Sequence, residues 1–264
     1  MYVMQDQLKR NVSLINYPPK RIVSLVPSQT ELLHYLGLED EVVGITKFCV
    51  HPTEWFHYKT RVGGTKNVNI EKVASLQPDL IIANKEENVK EQIEQLEKIA
   101  PVWISDVNTL DEALSMIQSI GEVTNKQEKA FQLADNVRKS FSTLQTNLNI
   151  NVCYLIWKDP YMSIGNDTFI NDLLKCCGLH NVFENEERYP TVTIEQIKEK
   201  KPEYILLSSE PFPFKQKHID EINTLIPNAK VLLVDGEMFS WYGSRLLFSA
   251  AYFKELINKL STDV

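Results

Sequence analysis

The chain has 264 residues, 43% of them hydrophobic, 24% charged, with a formal net charge of -7. That is enough apolar material for one large or two medium globular domains. The acidic balance and the scattered Lys and Arg exclude a nucleic-acid-binding field, and no apolar run approaches the ~20 residues that span a bilayer.

Residues 1–10 carry charges where a secretory leader would place its apolar segment, so nothing in the sequence as given exports the chain, and a native start would mean a cytoplasmic protein. The cysteines are Cys49, Cys153, Cys176 and Cys177. They form no CxxC pair, and no HExxH, GxxxxGK[ST] or GxSxG run is present.

In chain order, 23–26 reads as a strand. Ser28 and Glu31 follow in capping-box spacing, Leu32, Leu33 and Leu36 share one helix face, and Gly37 stops it. A second strand lies at 42–45. In "IEKVASLQPDLIIANKE" (70–86), Ile70, Val73 and Leu76 line a short helix, Pro78 cannot continue it, and 80–83 is a buried strand. Another strand is expected at 102–104. From Asn125 to Leu148 there is no Gly or Pro, and Ala130, Leu133, Ala134, Val137, Phe141 and Leu144 recur at three or four residues. The spacing predicts one helix of about 22 residues, ~33 Å long, connecting two halves. Further strands fall at 152–156, 204–207 and 231–234. Strands alternating with helices predict an α/β protein with mainly parallel sheets flanked by helices.

The two halves are related. "IEQIKEKKPEYILLSSE" (194–210) matches 70–86 without a gap, pairing Glu71 with Glu195 and Pro78 with Pro202, and "LLHYLGL" (32–38) echoes "LLKCCGL" (173–179). The expected division is an N-terminal lobe over 1–120, a bridging helix over 121–149, and a C-terminal lobe over 150–264. Ligand is expected in a cleft between the lobes, beyond the carboxyl ends of the strands.

The segments after the strands are therefore the candidates for binding. They carry Phe48, Trp157, Tyr161, Phe212, Trp241 and Tyr242 as flat apolar faces, with Lys47, Lys85, Glu86 and Arg245 as orienting charges. Such rings can equally close off a core. Phe239 is read as packing, with Trp241, Tyr242 and Arg245 as cleft wall. Cys49 and His51 are weak metal candidates, two ligands where three or four are needed; Cys176 and Cys177 are read as core.

At this point the chain resembles the substrate-binding proteins of ABC importers with a rigid helical backbone, which carry cobalamin, ferric siderophores or haem. The similarity runs from "RIVSLVPSQTELLHYLGL" through "VGITKFCVHP", "NVNIEKVASLQPDLIIA" and "TVTIEQIKEKKPEYILL" to the helix after "SRLL", and is strongest to cobalamin binders. Residues 5–20 resemble the N-terminal hairpin of mature members. The resemblance implies a monomer of the periplasm or cell envelope that binds a small molecule without chemistry and without a cofactor of its own, although the ligand itself can contain cobalt or iron. It implies that Glu71 and Glu195 dock onto the permease, where a first-turn carboxylate would otherwise only complement the helix dipole. The family's aromatic clamp falls on Phe48, Trp157 and Tyr189. Two further clamp tryptophans fall on Thr65 and Asn84, which are not aromatic. The rival reading is a cytoplasmic enzyme or cofactor-handling protein on the same frame, using Cys49, His51, Glu86 and Glu210.

Overall fold

The computed structural model describes residues 1–144 and 148–262. The chain divides into two compact units. Unit 1 takes Met1–Val107, Asp111–Arg138 and Trp241–Arg245; unit 2 takes Asn108–Leu110, Lys139–Ser240 and the segment from Leu246.

Unit 1 begins with a hairpin of β1 (Tyr2–Gln5) and β2 (Asn11–Leu14), antiparallel with Tyr2 opposite Leu14, earlier in the chain than the expected 5–20. There follow β3 (Ile22–Ser24), α1 (Pro27–Tyr35), β4 (Val42–Ile45), α2 (Thr53–Tyr58), β5 (Thr60–Arg61), α3 (Ile70–Ser75), β6 (Leu80–Asn84), α4 (Lys90–Leu96), β7 (Val102–Ser105), α5 (Leu110–Val123) and α6 (Gln127–Phe141). Strands β3 to β7 form one parallel sheet in the order β5-β4-β3-β6-β7. Its apolar faces pack Val23, Leu25, Val73, Ile81, Leu96 and Ile104 into one core.

Unit 2 contains β8 (Ile150–Leu155), α7 (Phe169–Cys176), β9 (Leu179–Asn181), α8 (Ile194–Lys200), β10 (Tyr204–Ser208), α9 (Gln216–Leu225), β11 (Lys230–Val234), α10 (Gly236–Ser240) and α11 (Leu246–Thr262). Its four strands are parallel in the order β11-β10-β8-β9. Phe239 is fully buried and touches Tyr154 and Phe253, as expected of a packing residue.

The sequence repeat is also a structural one. Its strand copy is β6 in unit 1 and β10 in unit 2, both interior to their sheets and buried at every position, which is why both read as apolar runs up to the polar residue that closes each, Asn84 and Ser208. The residue before each matched proline, Gln77 and Lys201, is left-handed, with φ of 46° and 49°. Each helix therefore closes in the same backbone shape before the proline turns the chain into its strand. Gly37 and Gly178, the glycines of the second echo, are left-handed as well.

Two expectations need correction. The long helix starts at Gln127 and ends at Phe141, 15 residues or about 22 Å. Asn125, inside the expected 121–149 span, breaks it from α5 with φ of 59°, a conformation Asn tolerates at low cost. At its other end the Ser142 and Thr143 hydroxyls donate to the carbonyls of Lys139 and Ser140; residues 145–147 of the expected helix lie outside the described residues. The capping box at Ser28 and Glu31 does not form either. Val26 is the N-cap of α1 without a side-chain bond, Pro27 takes the first helical position, and Glu31 is engaged elsewhere.

The α5–α6 corner depends on a close approach. A Cβ at Gly121 would lie 2.2 Å from the Ala130 Cβ. Gly121→Ala should lower stability in urea unfolding by about 1–3 kcal/mol through overpacking, and adding Ala130→Gly should recover part of that loss.

Candidate functional site

In a parallel sheet every strand delivers its following loop to the same edge. At that edge of unit 1, β4 delivers Lys47 and Phe48. The Phe48 ring is 51% exposed, with the Lys47 ammonium 5.1 Å from its centroid. The ring rests over Gly64 of the loop after β5, where a Cβ would come within 3.2 Å of the Phe48 Cε2 and 3.4 Å of the Lys47 Cε. The two loops are also joined by the Lys47 amide donating to the Gly63 carbonyl at 2.8 Å.

Beneath these loops lies a buried amide network. Asn84 Oδ1 accepts from the backbone amides of Glu86 and Glu87 at 2.8 and 3.0 Å, while Asn84 Nδ2 donates to Ser105 Oγ at 2.9 Å. Asn88 Oδ1 accepts from the Asn84 amide, and Asn88 Nδ2 donates to the Thr65 carbonyl at 3.0 Å. Gln29 Nε2 also reaches Ser105 Oγ. Asn84 and Thr65, where the family resemblance places two lost rings, are therefore inside the protein and hold the loops after β5, β6 and β7 in register. Lys85 is exposed and paired with Asp106 at 2.7 Å; Glu86 is half-buried, and Lys66 donates to its carbonyl. Burial pushes the Glu87 carboxyl up, and Lys66 pulls it back only in part.

The segment 241–245 joins unit 1 at α1. Arg245 binds Glu31 through both oxygens, at 2.6 and 3.1 Å, and its guanidinium lies 5.0 Å from the Trp241 ring centroid. Gly243, at φ of 129°, runs so close to α1 that a Cβ would sit 3.2 Å from the Ser28 carbonyl oxygen. His51 meets Trp241 edge to face at 5.4 Å. Trp241 and Tyr242 are 7% exposed each, so this stretch braces unit 1 and leaves little ring area for a ligand.

Cys49 is not a surface ligand. Its thiol is fully buried, 3.1 Å from both the Thr30 and Thr46 hydroxyls, and burial pushes its pKa up against the pull of those hydroxyls. Among the described residues no three His, Cys, Asp or Glu side chains converge as a metal site.

In unit 2 the corresponding edge is aromatic. Trp157, after β8, is 40% exposed and meets the half-buried Phe212, after β10, at 5.7 Å. Tyr161 is half-buried and donates to Glu221, which also pairs with Lys158; burial, with Glu221, raises the Tyr161 phenol to about 12. Tyr189 is half-buried beside the Arg188 guanidinium at 5.6 Å. Glu210 accepts from the Ser240 hydroxyl at 2.5 Å. Glu71 and Glu195 are exposed in the first turns of α3 and α8, each at the carboxyl edge of its own sheet because these helices run back against the strands.

Sequence reasoning missed Glu31 as the partner of Arg245, Gly64 as the seat of Phe48, and the Asn84–Asn88 brace. An Asn at the last residue of a strand, repeated four residues on, was the available signal for the brace.

A family model described as "Periplasmic binding protein" matches residues 22–224. An uncharacterised ABC transporter substrate-binding lipoprotein of Bacillus subtilis is 30% identical over 251 residues, 88% of this chain and 78% of its own. A vitamin B12-binding protein of Vibrio cholerae is 29% identical over 198 residues, 73% of this chain and 71% of its own. Among solved structures, a periplasmic haem-binding protein of Vibrio cholerae superposes with a TM-score of 0.76 at 21% identity, covering 90% of this chain and 98% of that one. The last likeness speaks for the fold alone.

Two outcomes follow. Arg245→Ala should lower thermodynamic stability by roughly 1.5–3 kcal/mol by stranding the half-buried Glu31 carboxylate, and Arg245→Lys should recover little because the two-pronged geometry is lost; chemical denaturation measures both. Iodoacetamide at pH 8 should leave Cys49 unmodified in the native protein and label it in urea, as read by peptide mass.

Proposed function

The chain belongs to the periplasmic binding protein family, and from that premise we propose that it is the substrate-binding component of an ABC importer, carrying a bulky corrinoid or iron chelate without altering it. The observation that carries the reading is a pair of exposed rings, Phe48 and Trp157, each standing on a loop at the carboxyl edge of its unit's parallel sheet. An exposed aromatic ring has unfavourable hydration, and covering it with a flat ligand face recovers free energy. Lys47 over Phe48, with Tyr161, Tyr189 and Phe212 half-buried beside the loops of unit 2, supplies the polar and apolar surroundings such a ligand needs. Binding of this kind works by shape and stacking and requires no covalent step.

The relatives named for vitamin B12 and the fold neighbour named for haem support a macrocyclic or chelated cargo. The withdrawal of Asn84 and Thr65 into the amide network leaves unit 1 with fewer rings than the cobalamin-type clamp, so a cargo with a smaller flat face than cobalamin is favoured. The family supports a place in the cell envelope, and among the described residues no helix is long and apolar enough to cross a membrane. Glu71 and Glu195, exposed at the same edges as the binding loops, would present the loaded protein to permease arginines.

Purified protein titrated calorimetrically with cyanocobalamin, haemin, a ferric hydroxamate and a ferric catecholate should bind at least one at micromolar concentration or tighter. Trp157→Ala should then raise Kd about 5- to 30-fold, corresponding to roughly 1–2 kcal/mol. Saturation by none of the four would overturn the reading. Glu71→Lys with Glu195→Lys should abolish uptake into cells while leaving the calorimetric Kd unchanged; a weakened Kd would instead move those carboxylates into the binding surface.

A further inference from the structure

The exposed Trp157 ring is held in place by a chain of contacts that ends on a buried histidine. Trp157 meets Phe212 at 5.7 Å, Phe212 meets Phe214 at 4.7 Å, and the His218 ring meets both phenylalanines edge-on at 5.4 Å. His218 is buried, three residues after Lys215, the N-cap of α9. The Lys215 backbone amide donates to His218 Nδ1 at 2.8 Å. In a capping box that reach back from the third helical position is made by Glu or Gln; here an imidazole makes it, and it can do so only while Nδ1 has a free lone pair. The loop so closed, 210–215, carries Phe212 and Phe214.

We propose that His218 is the positioning residue of the Trp157 face: as the neutral imidazole it closes the start of α9 and holds Phe212 under Trp157, and on taking up a proton it lets both go. Protonation places a hydrogen on Nδ1 against the Lys215 N–H, so the bond cannot persist, and it puts a cation among two phenylalanine rings.

The surroundings oppose that proton. Burial is the largest influence lowering the His218 pKa. Lys217 and Lys215 at the start of α9 and Lys158 after β8 act in the same direction, and Glu221 one turn along α9 acts against them while paired with Lys158 and accepting from Tyr161. A histidine whose folded pKa is depressed contributes stability above its ordinary value of 6.5 and loses it as pH falls below that. The hold on Phe212 is thus complete above that value and is lost as pH falls below it.

The proposal concerns the ring's placement and rests on the cargo reading only for its consequence, that affinity falls with pH. The experiment separates the two. Acrylamide quenching of tryptophan emission is followed from pH 8 to 4.5 in the cargo-free protein, with Trp157→Phe as the subtraction control, since Trp241 lies beside His51. The Trp157-dependent quenching should change with a midpoint below 6.5. His218→Gln keeps an acceptor for the Lys215 amide and cannot titrate, so it should lose that transition and match wild type at pH 8; His218→Ala should show the acid-form value already at pH 8. An unchanged transition in His218→Gln, or a flat wild-type profile, overturns the proposal. In a second arm, cyanocobalamin, haemin and the two ferric siderophores are titrated at pH 8 and pH 5. Weaker binding at pH 5 in wild type but not in His218→Gln supports the coupling. Binding of none, with the first arm as expected, would refute the cargo reading and leave the positioning role standing.

Discussion

A parallel sheet can place its function at one edge only, because every strand ends there and every connecting loop must leave from there. Each unit obeys this constraint separately, and what differs is how the loops are held. In unit 1 a buried amide network does it: Asn84, Asn88 and Ser105 bond one another and the loop backbones, and Gln29 joins through its Nε2, so that Phe48 can stand exposed over Gly64. In unit 2 rings do it, with Trp157, Phe212, Phe214 and His218 in successive edge contacts. The hydrogen-bonded version is directional; the aromatic version depends on packing and, at His218, on a single protonation state.

The duplicated half-molecule was legible because it obeys strong local rules. Pro78 and Pro202 cannot continue a helix, and strands buried on both faces are predominantly apolar, so β6 and β10 announce themselves twice with one offset. Strands β5 and β9, of two and three residues, carry too little pattern to be read. The α5–α6 corner was hidden because Asn125 turns the chain without Gly or Pro.

The candidate site was legible by location and less so by role. Phe48 and Trp157 stand exposed where the strand ends placed them. Arg245 also lies at that edge, but its charge is taken by Glu31, a pairing 214 positions apart that local spacing cannot reveal. Spacing pointed instead to a capping box with Ser28, but the helix starts one residue earlier, at Pro27, and leaves Ser28 inside its first turn. Cys49 and His51 are close in sequence, but one is sealed between two threonine hydroxyls and the other lies against Trp241. Proximity along the chain was no guide to chemistry there.

Under the proposed function, exposed rings at the carboxyl edges hold an intact cargo. A crystal structure of the protein grown with the tightest-binding of the four chelates is the decisive measurement. Density is expected for the unaltered chelate lying against the Trp157 ring, with no covalent bond to the chain. A chelate seated away from the loops that follow the strands, or one found chemically changed, would contradict it.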